Sequence, residues 1–230
     1  MRDKLLEMLA GEGISFTENQ LETLLRFNDM VLENNKKFNL TAITDEDGIV
    51  NKHFADSLKG LKYLQNCDSV ADIGSGAGFP AVPLKVFLPD TKFLLIDSLK
   101  KRVEFLASSV SALGLKNISC VHSRIEDAGR GEYRGKFSCV TARAVAELSV
   151  LVEYAVPLLK KGGMLLAYKG NVAEELENAK NAMKILNCEV EKVDEFSIMG
   201  AARSLVIIRK TGETPDKYPR QGNKPRINPL

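Results

Sequence analysis

The sequence predicts an α/β fold: a mostly parallel sheet of seven strands with helices on both faces, closed by a C-terminal antiparallel hairpin and preceded by a helical N-terminal extension. Three observations carry this. Short β-type runs alternate with amphipathic stretches through the middle of the chain, the last two β-type runs follow one another with no helix between them, and the stretch before the first run shows helical periodicity alone. The expected organisation is an extension at 1–64, an α/β domain at 65–210 and a basic tail at 211–230.

In the extension, Thr17 and Gln20 have the spacing of a capping box, and Leu21, Leu24, Leu25 and Val31 follow on one helical face. Residues 45–64 continue in the same style. SVADI (69–73) is the first strand and leads through a glycine-rich turn to a helix begun by Pro80. KFLLID (92–97) precedes a helix at 98–113, and ISCVH (118–122) is the third strand. FSCVTA (137–142) leads to a helix at 145–159, and GMLLAY (163–168) to one at 172–186. CEVEKVDEF (188–196) and SLVIIRK (204–210) pair as a hairpin on the sheet edge. The Pro-containing tail after Lys210 reads as loosely held coil.

Composition excludes several classes. At 230 residues the chain buries roughly 70–75 % of its unfolded surface and needs no staples. Cys67, Cys120, Cys139 and Cys188 are far apart with no CxxC pair, which argues against a metal site or a disulfide framework and for reduced thiols. No apolar run approaches the ~20 residues of a membrane span, and the charged start MRDKLLEML lacks a signal-peptide core, so a cytoplasmic protein is expected. The net charge of +2 does not announce a polyanion partner, but the bases are clustered: Lys36 and Lys37, Lys100 to Arg102, Lys160 and Lys161, then Lys217, Arg220, Lys224 and Arg226.

The chemistry centres on VADIGSGAGFP (70–80). In an open α/β sheet, ligands bind beyond the carboxyl ends of the strands, and glycines there tolerate positive φ and admit a ligand to the backbone. A phosphate-gripping loop requires a GK[ST] ending, which is missing; a dinucleotide fingerprint fits Gly74, Gly76 and Gly78 only in part, because Phe79 stands where a small residue is needed. The glycine turn of S-adenosylmethionine-dependent methyltransferases resembles DIGSGAG throughout, and a ligand without a pyrophosphate tolerates Phe79. Asp97, ending the second strand, can accept hydrogen bonds from both ribose hydroxyls, or can cap the following helix together with Ser98. Arg124, Ile125 and Glu126 follow the third strand, where such enzymes hold adenine between an apolar and a polar side chain. The acid suits a nicotinamide enzyme equally; the closing hairpin and the lack of a second catalytic domain favour a Rossmann-like, class I methyltransferase.

KFNLTAI (37–43), KHFADSL (52–58), DIGSGAGFP (72–80), IDSLKKRVEFL (96–106), TARAVA (141–146) and YPR (218–220) together resemble the RsmG (GidB) family, over about Leu21 to the end. The resemblance implies a cytoplasmic enzyme that uses S-adenosylmethionine to methylate N7 of one guanine in bacterial small-subunit (16S) ribosomal RNA, its partner being that RNA or the assembling or assembled small subunit. It also implies cofactor contacts at Gly74, Phe79, Ile125 with Glu126, and Arg143, and RNA contacts at Arg124 and Lys169. Ala55, Ala81 and Tyr168 depart from the family's usual residues at positions that touch packing near the pocket.

The side chains agree with that acceptor. The turn after the fourth strand reads Thr141-Ala-Arg-Ala, not the Asn/Asp-Pro-Pro-aromatic turn used on exocyclic amines. A pyrimidine carbon requires a cysteine nucleophile, and Cys139 inside FSCVT reads as a buried strand cysteine. A guanine N7 presents a free lone pair, so catalysis is positioning. Arg143 at the strand exit can hold the cofactor carboxylate or a phosphate, and Arg143 and Arg124 are the residues expected nearest the chemistry. His53 and Asp56 share a helix face towards the pocket, His122 reads as structural, and no metal cluster is expected. With no Trp and few Tyr, RNA contact falls to Lys100, Lys101, Arg102, Arg124, Lys169 and Arg220. A small-molecule methyltransferase, or a non-enzymatic RNA-binding protein that keeps the cofactor pocket as a sensor, are the alternatives.

Overall fold

A computed structural model describes residues 1–230. The β-type runs form β1 (Ser69–Ile73), β2 (Lys92–Asp97), β3 (Ile118–His122), β4 (Phe137–Arg143), β5 (Leu159–Lys169), β6 (Cys188–Ile198) and β7 (Ala201–Lys210). Their order across the sheet is β3-β2-β1-β4-β5-β7-β6. β1 to β5 pair in parallel, whereas β7 lies antiparallel to both β5 and β6, so the hairpin closes the edge as expected. The chain builds outward from β1 to β3 and then returns to β1's other side with β4. The crevice at that switch point, between the ends of β1 and β4, is where such a sheet binds ligands.

The central strands are apolar at nearly every position because both faces are covered. Val70, Phe93, Leu95, Cys139 and Leu166 face a core shared with the N-terminal helices Arg2–Gly11 and Glu18–Asn35, through Leu5, Leu21 and Phe27 among others. Ala71, Ile73, Leu94, Ile96, Val140 and Leu165 face the helices Leu148–Ala155 and Ala173–Leu186. The Thr17–Gln20 capping box forms: each residue's side chain accepts from the other's backbone N–H. Residues 46–58 run as one helical stretch whose centre, Ile49–Ala55, widens into a π-helix. No helix is long and apolar enough to cross a membrane.

Three elements differ from expectation. The helix expected at 145–159 begins only at Leu148, because Ala144 adopts a φ of +56° and Glu147 is extended, and it ends in a 3₁₀ turn at Val156–Leu158 around Pro157. A short helix, Ile125–Arg130, follows β3 where no helix was expected. The tail after Lys210 is not loosely held. Thr214 and Tyr218 are buried, the Arg134 guanidinium donates to the carbonyls of Thr214 (2.8 Å) and Tyr218 (2.6 Å), and a final turn of helix, Lys224–Ile227, closes the chain.

The strongest pin is Arg220. Its Nε and Nη2 donate to both oxygens of Glu153, at 2.9 and 2.7 Å, and its backbone N–H donates to the same carboxylate. Glu153 is fully buried in an otherwise apolar helix, so removing its partner strands a charge. Arg220→Ala is expected to destabilise the fold by about 3 kcal/mol, and Arg220→Ala with Glu153→Gln to recover much of that loss. Chemical denaturation of the parent and the two variants checks it.

Candidate functional site

Two cavities open at the carboxyl ends of the parallel strands and meet at Ala144. The first, about 340 Å³, is lined by Gly74, Asp97, Leu99, Arg102, Arg124 to Glu126, Val145, Tyr154, Asn223 and Arg226 as well as Ala144. The second, about 430 Å³, is lined by Ile43, Lys52, His53, Asp56, Arg143, Tyr168, Lys169, Gly170 and Arg203 on Ala144's other side.

The glycines divide the work of the turn after β1. All three take left-handed φ: +66° at Gly74, +55° at Gly76 and +93° at Gly78. A Cβ at Gly74 would lie 2.8 Å from Val145, and one at Gly78 within 3.0 Å of Phe27, Leu106 and Val82, so these two serve close packing. Gly76 has nothing nearer than the Gly74 carbonyl at 3.8 Å and leaves its face open. Asp97, 3 % exposed, ties the turn down: Oδ2 accepts from the Gly76 N–H (2.8 Å) and Oδ1 from the Leu99 N–H (2.9 Å). The carboxylate therefore anchors the start of the next helix and still faces the first cavity with its remaining lone pairs.

Of the residues expected at the cofactor, Gly74, Asp97, Ile125 and Glu126 come together in the first cavity, with Arg124 exposed at its edge, 3.7 Å from Glu126. Gly76 reaches it through Asp97. Gly78 and Phe79 do not line it. Phe79 is buried and stacks on His53 (centroids 4.5 Å apart, 11° between planes), with Phe27 and Phe54 against its other sides. Arg143 lines the second cavity instead: Nη1 donates to the Lys52 carbonyl (3.0 Å) and Asp56 (2.9 Å), and Nη2 to His53 Nδ1 (3.2 Å). His53 Nε2 is 2.9 Å from the Thr41 hydroxyl, which completes a chain of buried and half-buried polar groups. Thus His53 and Asp56, expected to face the cofactor pocket, line the second cavity and not the first, engaged with Arg143.

The expected RNA-facing bases also separate. Lys100 and Lys101 are exposed on the first turn of the helix Lys100–Ala112, and Arg102 approaches Asp97 at 3.8 Å. Lys169 turns inward, donating to the Ala146 carbonyl (2.6 Å) and to Glu175 (2.5 Å), and Arg220 is spent on Glu153. Neither presents a free charge. Reasoning from the sequence missed Tyr154, Asn223 and Arg226 at the first cavity and Lys52 and Arg203 at the second. Arg226 had a signal in the basic tail, read there only as surface charge; Tyr154 lies in an apolar helix and had none. No group of three or more His, Cys, Asp or Glu side chains is arranged to hold a metal ion.

Among the buried groups, His53 and Asp72 are shifted across the weakly acid range. Burial, then the Arg143 guanidinium, pushes His53 down from 6.5 to about 4. Burial pushes Asp72 up from 3.8 to about 6, against the hydroxyls of Thr141 and Ser75; Thr141 donates to its Oδ1 at 2.6 Å, while Oδ2 has no partner. Between about pH 4 and 6.5 the unfolded chain holds a proton on His53 that the folded chain does not, so stability falls on acidification. Over about pH 4 to 6 the folded chain holds a proton on Asp72 that the unfolded chain lacks, so stability rises on acidification. Each effect has a limiting slope of about 1.4 kcal/mol per pH unit. Denaturation across roughly pH 4 to 7 is expected to show His53→Gln less acid-labile than the parent and Asp72→Asn more so.

The comparisons with known proteins agree with this architecture. The profile of the GidB family, rRNA small subunit methyltransferase G, matches residues 20–206. Ribosomal RNA small subunit methyltransferase G of Acetivibrio thermocellus is 42 % identical over 234 residues, covering 100 % of this chain and 97 % of the relative. That of Desulfitobacterium hafniense is 45 % identical over 222 residues, covering 95 % of this chain and 92 % of the relative. Among solved structures, TYW2 of P. horikoshii, in complex with MeSAdo, superposes with a TM-score of 0.58 at 17 % identity, over 68 % of this chain and 62 % of that one. A ribosomal protein L11 methylase from Lactobacillus delbrueckii subsp. bulgaricus gives 0.55 at 18 %, over 69 % and 79 %. Full-length likeness at this level makes the chain a member of the GidB family, the small-subunit ribosomal RNA methyltransferases G.

Proposed function

We propose that the two cavities meeting at Ala144 are the donor and acceptor halves of a methyl-transfer site, with S-adenosylmethionine in the first and a guanine of small-subunit ribosomal RNA in the second, methylated at N7. The observation that carries this is the pair of cavities itself, opening side by side at the switch point of the sheet on either face of one residue.

The first cavity suits the donor. Asp97 offers two carboxylate oxygens where ribose hydroxyls lie, Ile125 and Glu126 offer an apolar and a polar flank for a purine, and Gly76 leaves the turn open to a ligand's approach. When bound, S-adenosylmethionine would supply a sulfonium methyl for a nitrogen lone pair, the bonding electrons returning to sulfur. Around the second cavity, His53 accepts from Arg143 and meets Thr41, and Asp56 is paired with Arg143. These groups are engaged with one another and none is free to take a proton. An acceptor whose lone pair is already available fits such a wall, and N7 of guanine is one; the chain's contribution is then orientation, for which roughly 7–11 kcal/mol of barrier is accessible. Arg143 positions the wall of the acceptor cavity, and Arg124, Lys100, Lys101 and Arg102 stand where RNA passes the donor side. Lys169 and Arg220 act by holding loops in place. The substrate is cytoplasmic small-subunit ribosomal RNA, alone or in the assembling or assembled subunit.

Nucleoside mass spectrometry tests the reading. Ribosomal RNA from a deletion strain is expected to lack one 7-methylguanosine and to regain it on incubation with the purified protein and S-adenosylmethionine, supplied as deproteinised RNA or as small subunits; no gain on either would overturn it. Asp97→Ala is expected to weaken S-adenosylmethionine binding tenfold or more (about 1.4 kcal/mol) by calorimetry, and unchanged affinity would remove Asp97 from the ribose role. Arg124→Ala is expected to lower RNA methylation more than cofactor affinity, and equal losses in the two assays would contradict that division.

A further inference from the structure

The hairpin of β6 and β7 overruns the sheet at the acceptor cavity. Ser204 pairs with Lys169, the last residue of β5, so Ala201 to Arg203 run on without a neighbour on that side. The turn beyond them, at Met199 and Gly200 with φ of +50° and +78°, stands more than about 10 Å past the end of β5. Arg203, at the base of this overhang, lines the acceptor cavity, and its only partner is the carbonyl of its neighbour Ala202. Lys52, on the N-terminal segment that forms another wall, has no partner for its ammonium; Arg143 uses only its backbone carbonyl. The cavity's other two bases, Arg143 and Lys169, are engaged within the protein.

The overhang also carries apolar surface. The large apolar side chains left exposed are Leu99 (52 %), Met199 (58 %) and Ile227 (81 %). Leu99 lines the donor cavity, Ile227 adjoins Arg226 which lines it too, and Met199 stands in the hairpin turn, four residues before Arg203 of the acceptor cavity. Exposed apolar side chains and free cations along the same end of the sheet match the demands of unpaired nucleotides, which present both a phosphate charge and a flat apolar face.

Resting on the donor and acceptor reading above, we infer that the β6–β7 overhang and the 52–56 segment form an RNA grip: Lys52 and Arg203 hold the phosphates flanking the target guanosine, and Met199 packs under a neighbouring unpaired base. The bases that admit the substrate are therefore different from the Lys169 and Arg220 expected from the sequence.

Steady-state methyl transfer to small subunits from a deletion strain tests this with Lys52→Ala, Arg203→Ala, the double variant, Met199→Ser and, as a control at the opposite end of β2, Lys92→Ala. The double variant is expected to raise the KM for the particle about tenfold, with kcat within about twofold and S-adenosylmethionine affinity unchanged. Its log Kd against log salt is expected to be shallower by about 1.4, near 0.7 for each single-strand phosphate that the variant leaves unneutralised. Met199→Ser is expected to raise KM about threefold without changing the salt slope, and Lys52→Arg to keep the parental KM. An active parent enzyme with unchanged KM and slope in the double variant would overturn the grip alone, as would an equal effect of Lys92→Ala or a loss confined to kcat. A parent that binds S-adenosylmethionine and methylates no ribosomal RNA would overturn the functional reading and the grip with it.

Discussion

The arrangement depends on one guanidinium. Arg143, at the exit of β4, joins the sheet to the N-terminal segment through the Lys52 carbonyl, Asp56 and His53, and lies 5.6 Å over the ring of Phe79 in the glycine turn. The Arg143–Asp56 pair is largely withdrawn from water, with side chains 16 % and 7 % exposed. Such a pair adds modestly to stability when intact but strands a buried charge when either member is removed. Its value here is geometric. With the Tyr168–Ser57 hydrogen bond and the packing of His53 and Phe54 on Phe79, it fixes the widened π-helical turn against the end of the sheet, so that the second cavity has a floor from β4 and β5 and a wall from the extension. Holding His53 neutral is part of the same device: its Nδ1 must accept from Arg143, which a protonated ring cannot do.

Strand positions were legible in the sequence because a sheet covered on both faces writes itself as short continuous apolar runs, and each of SVADI, KFLLID, ISCVH and FSCVTA falls on its strand. Element ends were less so, since the positive φ of Ala144 is set by tertiary contacts and has no glycine or asparagine to announce it. The glycine turn was visible as a tight turn at the strand ends, but its three glycines looked alike; only in three dimensions does Gly78 become a packing residue under Phe27 and Gly76 the open one. Tyr168 read as a departure, and the compensation lies more than a hundred positions away in sequence: a Cβ at Gly60 would sit 2.1 Å from its hydroxyl, which donates to the Ser57 carbonyl. No local pattern contains that pairing.

Charge was the least legible property. A sequence gives the sign of a side chain but not its direction, and long flexible stems allow Lys and Arg to reach inward to orphan carbonyls as readily as outward to solvent. Lys85 is 1 % exposed and donates to the carbonyls of Leu88, Pro89 and Thr91; Lys210, 3 % exposed, donates to Val156 and Leu159; Arg134 and Arg220 pin the tail. Each such base is withdrawn from any partner. What is left near the cavities is a smaller set, and its location, not the net charge of +2, decides where a polyanion can dock.

Other inward-turned groups, Lys169 and Arg226 among them, explain why two cavities exist and not one trough. The loop from Ala144 to Leu148 runs between them, and three elements hold its backbone: Arg226 donates to the Val145 carbonyl (2.9 Å), Lys169 to the Ala146 carbonyl (2.6 Å), and Glu175 accepts from the Leu148 N–H (2.7 Å). Such multiple anchoring is what lets Ala144 keep a left-handed backbone, a conformation costing on the order of 1 kcal/mol for a residue with a Cβ. On the proposed reading, methyl transfer requires nucleophile, methyl and leaving sulfur on one line, so a partition between donor and acceptor cavities would have to be narrow, small and fixed. An alanine held from three sides meets that requirement: its side chain is a single methyl, and its backbone, unlike a glycine's, has few other conformations to visit. The strain at Ala144 and the inward turn of Lys169 and Arg226 are thus parts of one constraint, the alignment of two cavities across a single residue.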